Sequence, residues 1–158
     1  MPGGRLKLDT RSSIELLNWD VDVDPEFARH RCQQPKLARD NDEMKMSVCA
    51  ENWVCYGTLF YSARELAVYP GRTVKVKDAG ANGPVVVKGW GSIGKLEVET
   101  FSMIRYGEKI KDRLFVTAPA ANAGVAITNR GDKEDLVLLK RLGPGNPDAA
   151  GLIEARYN

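Results

Sequence analysis

Between residues 67 and 143 the chain reads as short apolar runs punctuated by glycine and proline: AVYPGRTVKVKDAG, GPVVVKGWGSIGKLEVETF, DRLFVTAPAANAGVAITN and DLVLLKRLGP. Runs of about four to eight residues, rich in valine, isoleucine, phenylalanine and tyrosine and recurring roughly every ten residues, are the pattern of a β-sandwich or β-barrel. Strands are expected over 53–60, 64–69, 72–77, 84–89, 94–100, 102–106, 113–117, 124–129 and 135–141. Turns fall at Pro70-Gly71, Gly80-Ala81-Asn82-Gly83, Gly89-Trp90-Gly91, Tyr106-Gly107 and Arg130-Gly131-Asp132, where proline fixes φ and glycine allows it to be positive. Only Pro119 to Ala123 has helical composition, and its length allows one turn. Strands this numerous with no long amphipathic helix to cover them require two sheets face to face or a closed barrel.

A chain of 158 residues fits one domain and buries roughly 70% of its unfolded surface, so it needs no disulfide to hold a core. With 23 basic and 21 acidic residues, net +2, it has no broad field to gather phosphate backbones or anionic lipid, and neither nucleic acid nor a membrane is an expected partner. The three cysteines, Cys32, Cys49 and Cys55, form neither an even disulfide set nor a Cys-x-x-Cys motif, which favours a reducing, cytoplasmic setting. MPGGRLKLDTRSS has no apolar run behind its basic residues, so a signal peptide is not expected, and no stretch is apolar enough to span a bilayer.

Composition divides the chain near residue 50. Residues 1–50 read as an arm that packs on the barrel or on a partner, and residues 51–158 as a single barrel. In the arm, Ile14, Leu16, Leu17 and Trp19 make an apolar segment read as a strand near 13–19. The VDVD alternation reads as an edge strand, and Asp24-Pro25 as the start of a helical turn through Phe27 and Ala28. Asp20, Asp22 and Asp24 invite a calcium-loop reading, which fails because the loop glycine and the distant glutamate are missing.

The segment from Leu66 to Pro144 resembles the cupin family, jelly-roll barrels marked by two motifs and commonly carrying a metal on histidines. Gly71 opens the first motif and Gly89 closes it. Counting back from Gly89 puts Asn82 at the family's glutamate, and either Val76 and Asp78 or Lys75 and Lys77 at its histidines, depending on spacing. In the second motif Asn129 matches the asparagine, Val125 stands at the histidine and Asn122 at the glycine. The chain's only histidine, His30, lies outside the barrel stretch. ELAVYPGRTVKVKDAGANG, VVVKGWGSIGKLEVET, MIRYGEKIKDRLFVT, GVAITN and LVLLKRLGPGNPD, reaching back to WDVDVDPEF, further resemble the carboxy-terminal half of bacterial two-cupin proteins labelled as mannose-6-phosphate isomerase-related. The resemblance implies an all-β fold, a cupin-type double-stranded β-helix with an N-terminal arm and little helix.

Independently of the family, zinc, iron or manganese asks for three or four converging histidine, carboxylate or cysteine ligands. Glu97 and Glu99 share one face of a strand. Were that face inward, they and Asp78 could hold manganese or magnesium; the plainer reading leaves both glutamates in water. GWGSIG precedes no helix and reads as a hairpin turn, its Trp90 capping the barrel mouth. Arg105 and Lys109 could pair a phosphate, although their run is more simply a solvated loop. Trp53, Tyr56, Phe60 and Tyr61 suit a sugar platform, a dimer seam or the core.

Two functional classes follow. The favoured one is a non-enzymatic cupin module without the histidine site, metal or cofactor, which binds a small polar or sugar-like molecule or forms a homodimer. Asp78, Asn82, Glu97, Glu99, Arg105 and Asn129 are its candidate ligand-binding residues. The other is a metal-free or carboxylate-metal sugar epimerase or isomerase, whose base would be Glu97, Glu99, Lys75, Lys77 or Tyr106. A buried glutamate facing a lysine across the barrel favours the enzyme, and an interior filled by apolar side chains opposes it.

Overall fold

The computed structural model describes residues 34–39, 44, 46–58, 60–100 and 106–152, with 14, 15, 19 and 23–26 nearer the amino terminus. The chain divides into two units, Met1–Gln34 and Pro35–Asn158. In the first, Ile14, Glu15 and Trp19 are helical, and the Val23 amide donates to the Trp19 carbonyl at 3.1 Å. The strand expected over 13–19 is therefore helix at these positions. Glu15, Leu16 and Leu17 are good helix formers, and the sequence from Ser12 to Glu15 has capping-box spacing. Of the Val-Asp alternation, Val23 is in a turn, and the Glu26 amide donates to Asp24 Oδ1 at 2.9 Å. The expected turn through Phe27 and Ala28, together with His30, Cys32 and Arg105, lies outside the described residues. No described helix is long and apolar enough to cross a membrane.

The second unit is all-β. Its strands are β1 (Lys36–Leu37), β2 (Cys49–Cys55), β3 (Ser62–Val68), β4 (Thr73–Val76), β5 (Asn82–Lys88), β6 (Trp90–Ile93), β7 (Leu96–Glu99), β8 (Val125–Asn129) and β9 (Leu136–Leu142). One sheet has five strands in the order β1-β2-β3-β9-β5, the other four in the order β4-β8-β6-β7. All pairings are antiparallel. The chain steps from one sheet to the other at β3–β4, β4–β5, β5–β6 and β8–β9, which is the jelly-roll path of a cupin-type double-stranded β-helix. Among the described residues of this unit, helix is limited to Met44, α1 (Ala118–Ala123), with proline in its first turn, and a 3₁₀ helix over Pro147–Leu152.

Inward positions alternate along each strand, as a two-residue side-chain period requires. Cys49, Leu66, Val68, Leu136 and Leu138 of one sheet meet Val74, Val76, Ile93, Val98 and Ile127 of the other in the main apolar core. Each leucine or isoleucine so buried stabilises the fold by about 1.5–3 kcal/mol. Trp53, Tyr56 and Leu142 form a smaller cluster nearer the other end.

Two turns differ from expectation. Gly89-Trp90-Gly91 is not a hairpin apex: Gly89 turns the chain at φ +80°, Trp90–Ile93 is a strand, and the reversal comes at Gly94-Lys95. Trp90 is accordingly half exposed on a strand paired with β7. Asn82 and Gly83 open β5 instead of ending a turn. Gly91 serves close approach, because a Cβ there would sit 2.0 Å from the Thr128 carbonyl oxygen of the neighbouring strand. Gly91→Ala is therefore expected to lower unfolding free energy in urea by about 1–3 kcal/mol. Gly143→Ala, with nothing within 4 Å of the added carbon, should leave the midpoint unchanged, and equal effects of the two would contradict the assignment.

Candidate functional site

The same alternation that fills the core also brings charge inside. On β2 the inward residues are Cys49, Glu51 and Trp53; on β3 they are Arg64, Leu66 and Val68; on β9 they are Leu136, Leu138, Lys140 and Leu142. Antiparallel register sets Arg64 opposite both Trp53 and Lys140, and Lys140 opposite Pro84. Glu51 and Lys140 are almost completely buried, at 1% and 2% exposure, and Arg64, Asp78 and Asn82 are buried beside them. An ionic layer thus lies between the two apolar clusters.

Within it the pairing is dense. The Lys140 ammonium lies 2.7 Å from Glu51 Oε1, 2.9 Å from Asp78 Oδ1 and 2.8 Å from Asp78 Oδ2, an acceptor for each of its three N–H donors. Arg64 donates to Asp78 Oδ1 at 3.0 Å, pairs with Asp148 at 2.9 Å, and lies with its guanidinium carbon 4.1 Å from the Trp53 ring centre. Arg39, partly exposed, bonds to Glu51, Asp78 and the Lys77 carbonyl. Asn82 donates to Asp78 Oδ2 at 3.1 Å, and Asp148 accepts from the Ala79 amide at 3.2 Å. Three carboxylates, Glu51, Asp78 and Asp148, therefore balance three cations, Arg39, Arg64 and Lys140. Burial opposes the Arg39 charge, but the Glu51 and Asp78 carboxylates outweigh it and raise the guanidinium pKa above its ordinary value.

Beside the layer, the barrel interior keeps a cavity of about 20 Å³ lined by Val76, Asp78, Asn82, Pro84, Val125 and Lys140 among others, room for about one water. Val76, Asp78, Asn82 and Val125 are positions at which the family resemblance set metal ligands. Their convergence selects the Val76/Asp78 spacing; Lys75 and Lys77 are exposed on the other face of the chain. As a metal site the set does not fit. Two valines offer no donor, and both Asp78 oxygens already accept from Lys140 and its neighbours. Among the described residues, no group of three or more histidine, cysteine, aspartate or glutamate side chains is placed to hold a metal ion.

The remaining candidates stand apart. Glu97 and Glu99 are exposed on β7, so the face that would have carried them inward points to water. Glu97 pairs with Arg130 at 3.4 Å and Glu99 with Lys111 at 3.7 Å, surface contacts worth at most about 1 kcal/mol each. Tyr106 is fully exposed in a turn. Asn129 is buried, but its amide group donates to the Val68 and Glu134 carbonyls and accepts from the Gly131 amide, which holds the loop between β8 and β9. Of the predicted ligand-binding residues that are described, only Asp78 and Asn82 come together; Arg105 lies outside the described residues. Sequence reasoning missed Arg39, Glu51, Arg64, Lys140 and Asp148; the available signal was that Lys140 shares its parity with Leu136, Leu138 and Leu142.

The fold and this layer define a cupin-type jelly roll whose centre is held by buried ion pairs. No family model matches the chain, and no curated protein is similar enough to match it. Among solved structures, the chain is similar to one from the complex of SigE with the anti-sigma ChrR of Rhodobacter sphaeroides (14% identity, 90% of this chain and 70% of that chain, TM-score 0.48). It is also similar to an RmlC-like cupin from Shewanella frigidimarina (10%, 73% and 88%, TM-score 0.44). A third is an uncharacterized protein with a double-stranded β-helix domain from Klebsiella pneumoniae (16%, 68% and 79%, TM-score 0.42).

Removing one partner from a buried ion pair strands the other charge, at about 3–5 kcal/mol. Asp78→Asn, which withdraws the carboxylate shared by Arg39, Arg64 and Lys140, is expected to lose that much unfolding free energy, read by circular dichroism in urea. Arg39→Ala, at a partly exposed position, should cost less. A tolerated Asp78→Asn would show that the layer does not hold the barrel together.

Proposed function

We propose that the chain is a small-molecule-binding jelly-roll module whose ligand is small and polar or sugar-like, and that it does no chemistry in the barrel interior. The observation that carries this reading is the Lys140 ammonium, which engages Asp78 and Glu51 where a cupin would gather its metal ligands. A cation supplied by the chain's own side chain takes the position a metal would need, and both oxygens of Asp78 are already engaged.

The alternative, an epimerase or isomerase, draws support from the same pair, since a buried glutamate does face a lysine. Proton transfer, however, needs a base within hydrogen-bond reach of a substrate. Both carboxylates are already engaged, and the adjoining space holds about one water. The sugar-like ligand class rests on the likeness to two-cupin proteins labelled as mannose-6-phosphate isomerase-related, carried by ELAVYPGRTVKVKDAGANG and VVVKGWGSIGKLEVET.

Untagged protein purified without chelator tests the reading through its manganese, iron, nickel, copper and zinc content. Metal is expected far below one atom per chain, with the unfolding midpoint unmoved by EDTA. A stoichiometric metal lost together with stability would overturn the proposal. Exposed Phe60, Val87, Trp90, Leu96 and Phe115 give apolar surface for self-association, and light scattering on the same sample is expected to report a homodimer.

A further inference from the structure

The five-stranded sheet is apolar on both faces. Its inward side chains fill the core, yet its outward positions carry Ala67 on β3, Val137 and Leu139 on β9, and Val85 and Val87 on β5. The register makes these one surface, since Ala67 lies opposite Val137, and Val85 opposite Leu139. The first four are only partly buried, and Val87 is 48% exposed. An antiparallel sheet with one face in water places polar residues at its outward positions. The other sheet does so: Thr73 and Lys75 of β4, Thr128 of β8 and Glu97 of β7 point outward, and the Thr73 and Thr128 hydroxyls hydrogen-bond at 2.9 Å. Unbroken runs such as Pro84–Val87 and Leu136–Leu139 belong instead to strands covered on both sides, and a continuous apolar patch left uncovered marks an interaction surface.

Two charged side chains in this patch select what covers it. Glu65 and Arg141 are both exposed on the same face. Glu65 lies opposite Leu139, and Arg141 opposite Ala63, so the two stand diagonally on neighbouring strands, roughly 7–8 Å apart at their roots. Neither makes an ion pair among the described residues. One carboxylate and one guanidinium leave the patch without net charge, which favours neither a basic nor an acidic partner. They complement a second copy of themselves. A two-fold axis lying between two such faces and passing midway between Glu65 and Arg141 sets each residue against its opposite charge twice over.

We infer that the outer face of the five-stranded sheet seats a second copy of this chain through the same face, with Glu65 of each copy paired to the partner's Arg141 and the valines and Leu139 packed around the two pairs. The inference rests on the proposed homodimer and assigns it a face and a symmetry.

Light scattering coupled to size exclusion tests it on the full chain, on Glu65→Arg, on Arg141→Glu and on an equimolar mixture of the two variants. Each variant alone sets like charges against each other at both pairs and is expected to raise the dimer dissociation constant at least about tenfold. Both positions are exposed, so the unfolding midpoint of the monomer should hold. The mixture is expected to dimerise again, because a dimer of one variant with the other restores both pairs. The doubly swapped chain, Glu65→Arg with Arg141→Glu, restores them on a single sequence and should dimerise as the wild type does, which gives the same reading should a single variant misfold. Single variants that dimerise like the wild type would overturn this face and leave the homodimer standing. Single variants that stay monomeric when mixed, or a monomeric doubly swapped chain, would overturn the two-fold pairing. A monomeric wild type would overturn the inference and the homodimer together, and would leave the face to residues 1–33 or to another protein.

Discussion

Lys140 grips Glu51 and Asp78 from a position buried on every side, and most of the second unit depends on that grip. Glu51 belongs to β2, Lys140 to β9, and Asp78 to the chain just past β4, so one ammonium joins two strands of the five-stranded sheet to the connection that leaves the other. Arg64 carries the tie on to Asp148 in the 3₁₀ helix, and Arg39 brings in the segment after β1. Such a layer is costly to desolvate and need not add net stability over an apolar core. Its balance of three carboxylates with three cations nevertheless makes each member hard to remove alone.

Most strands were legible because β-branched and aromatic runs are cut by glycine and proline at turn spacing. The stretch 113–117, however, holds only isolated bridges at Arg113 and Val116, and Trp90–Ile93 is a strand where a turn was expected. The helix α1 was legible from Pro119 and three alanines among Ala120 to Ala123. The ionic layer was not, because charged residues in a strand are normally assigned to the solvent face. In LVLLKRL the parity argument gives the other answer: Lys140 keeps step with three inward leucines, while Arg141 faces out. For Glu97 and Glu99 the face was undecidable, since a slip of one residue exchanges the faces of a strand. Asp78 and Asn82 were reachable only through motif spacing.

The two polar features divide the molecule's labour. Inside, charge is neutralised by the chain itself and space is limited to about one water. At the rim, a cavity lined among the described residues by uncharged side chains lies beside an exposed tyrosine. The Asp148–Arg64 pair links them, so the loop that shapes the rim is anchored to the ions that close the centre.

The most direct measurement is the coupling energy of Lys140 and Asp78, obtained by urea unfolding of Lys140→Met, Asp78→Asn and the double variant. If the ammonium and the carboxylate neutralise each other inside the barrel, the double variant is less destabilised than the sum of the singles, with coupling toward the upper part of the range of about 0.5–3 kcal/mol seen for contacting residues. Effects that add within about 0.3–0.5 kcal/mol would contradict an ionic layer as the interaction that holds the barrel closed.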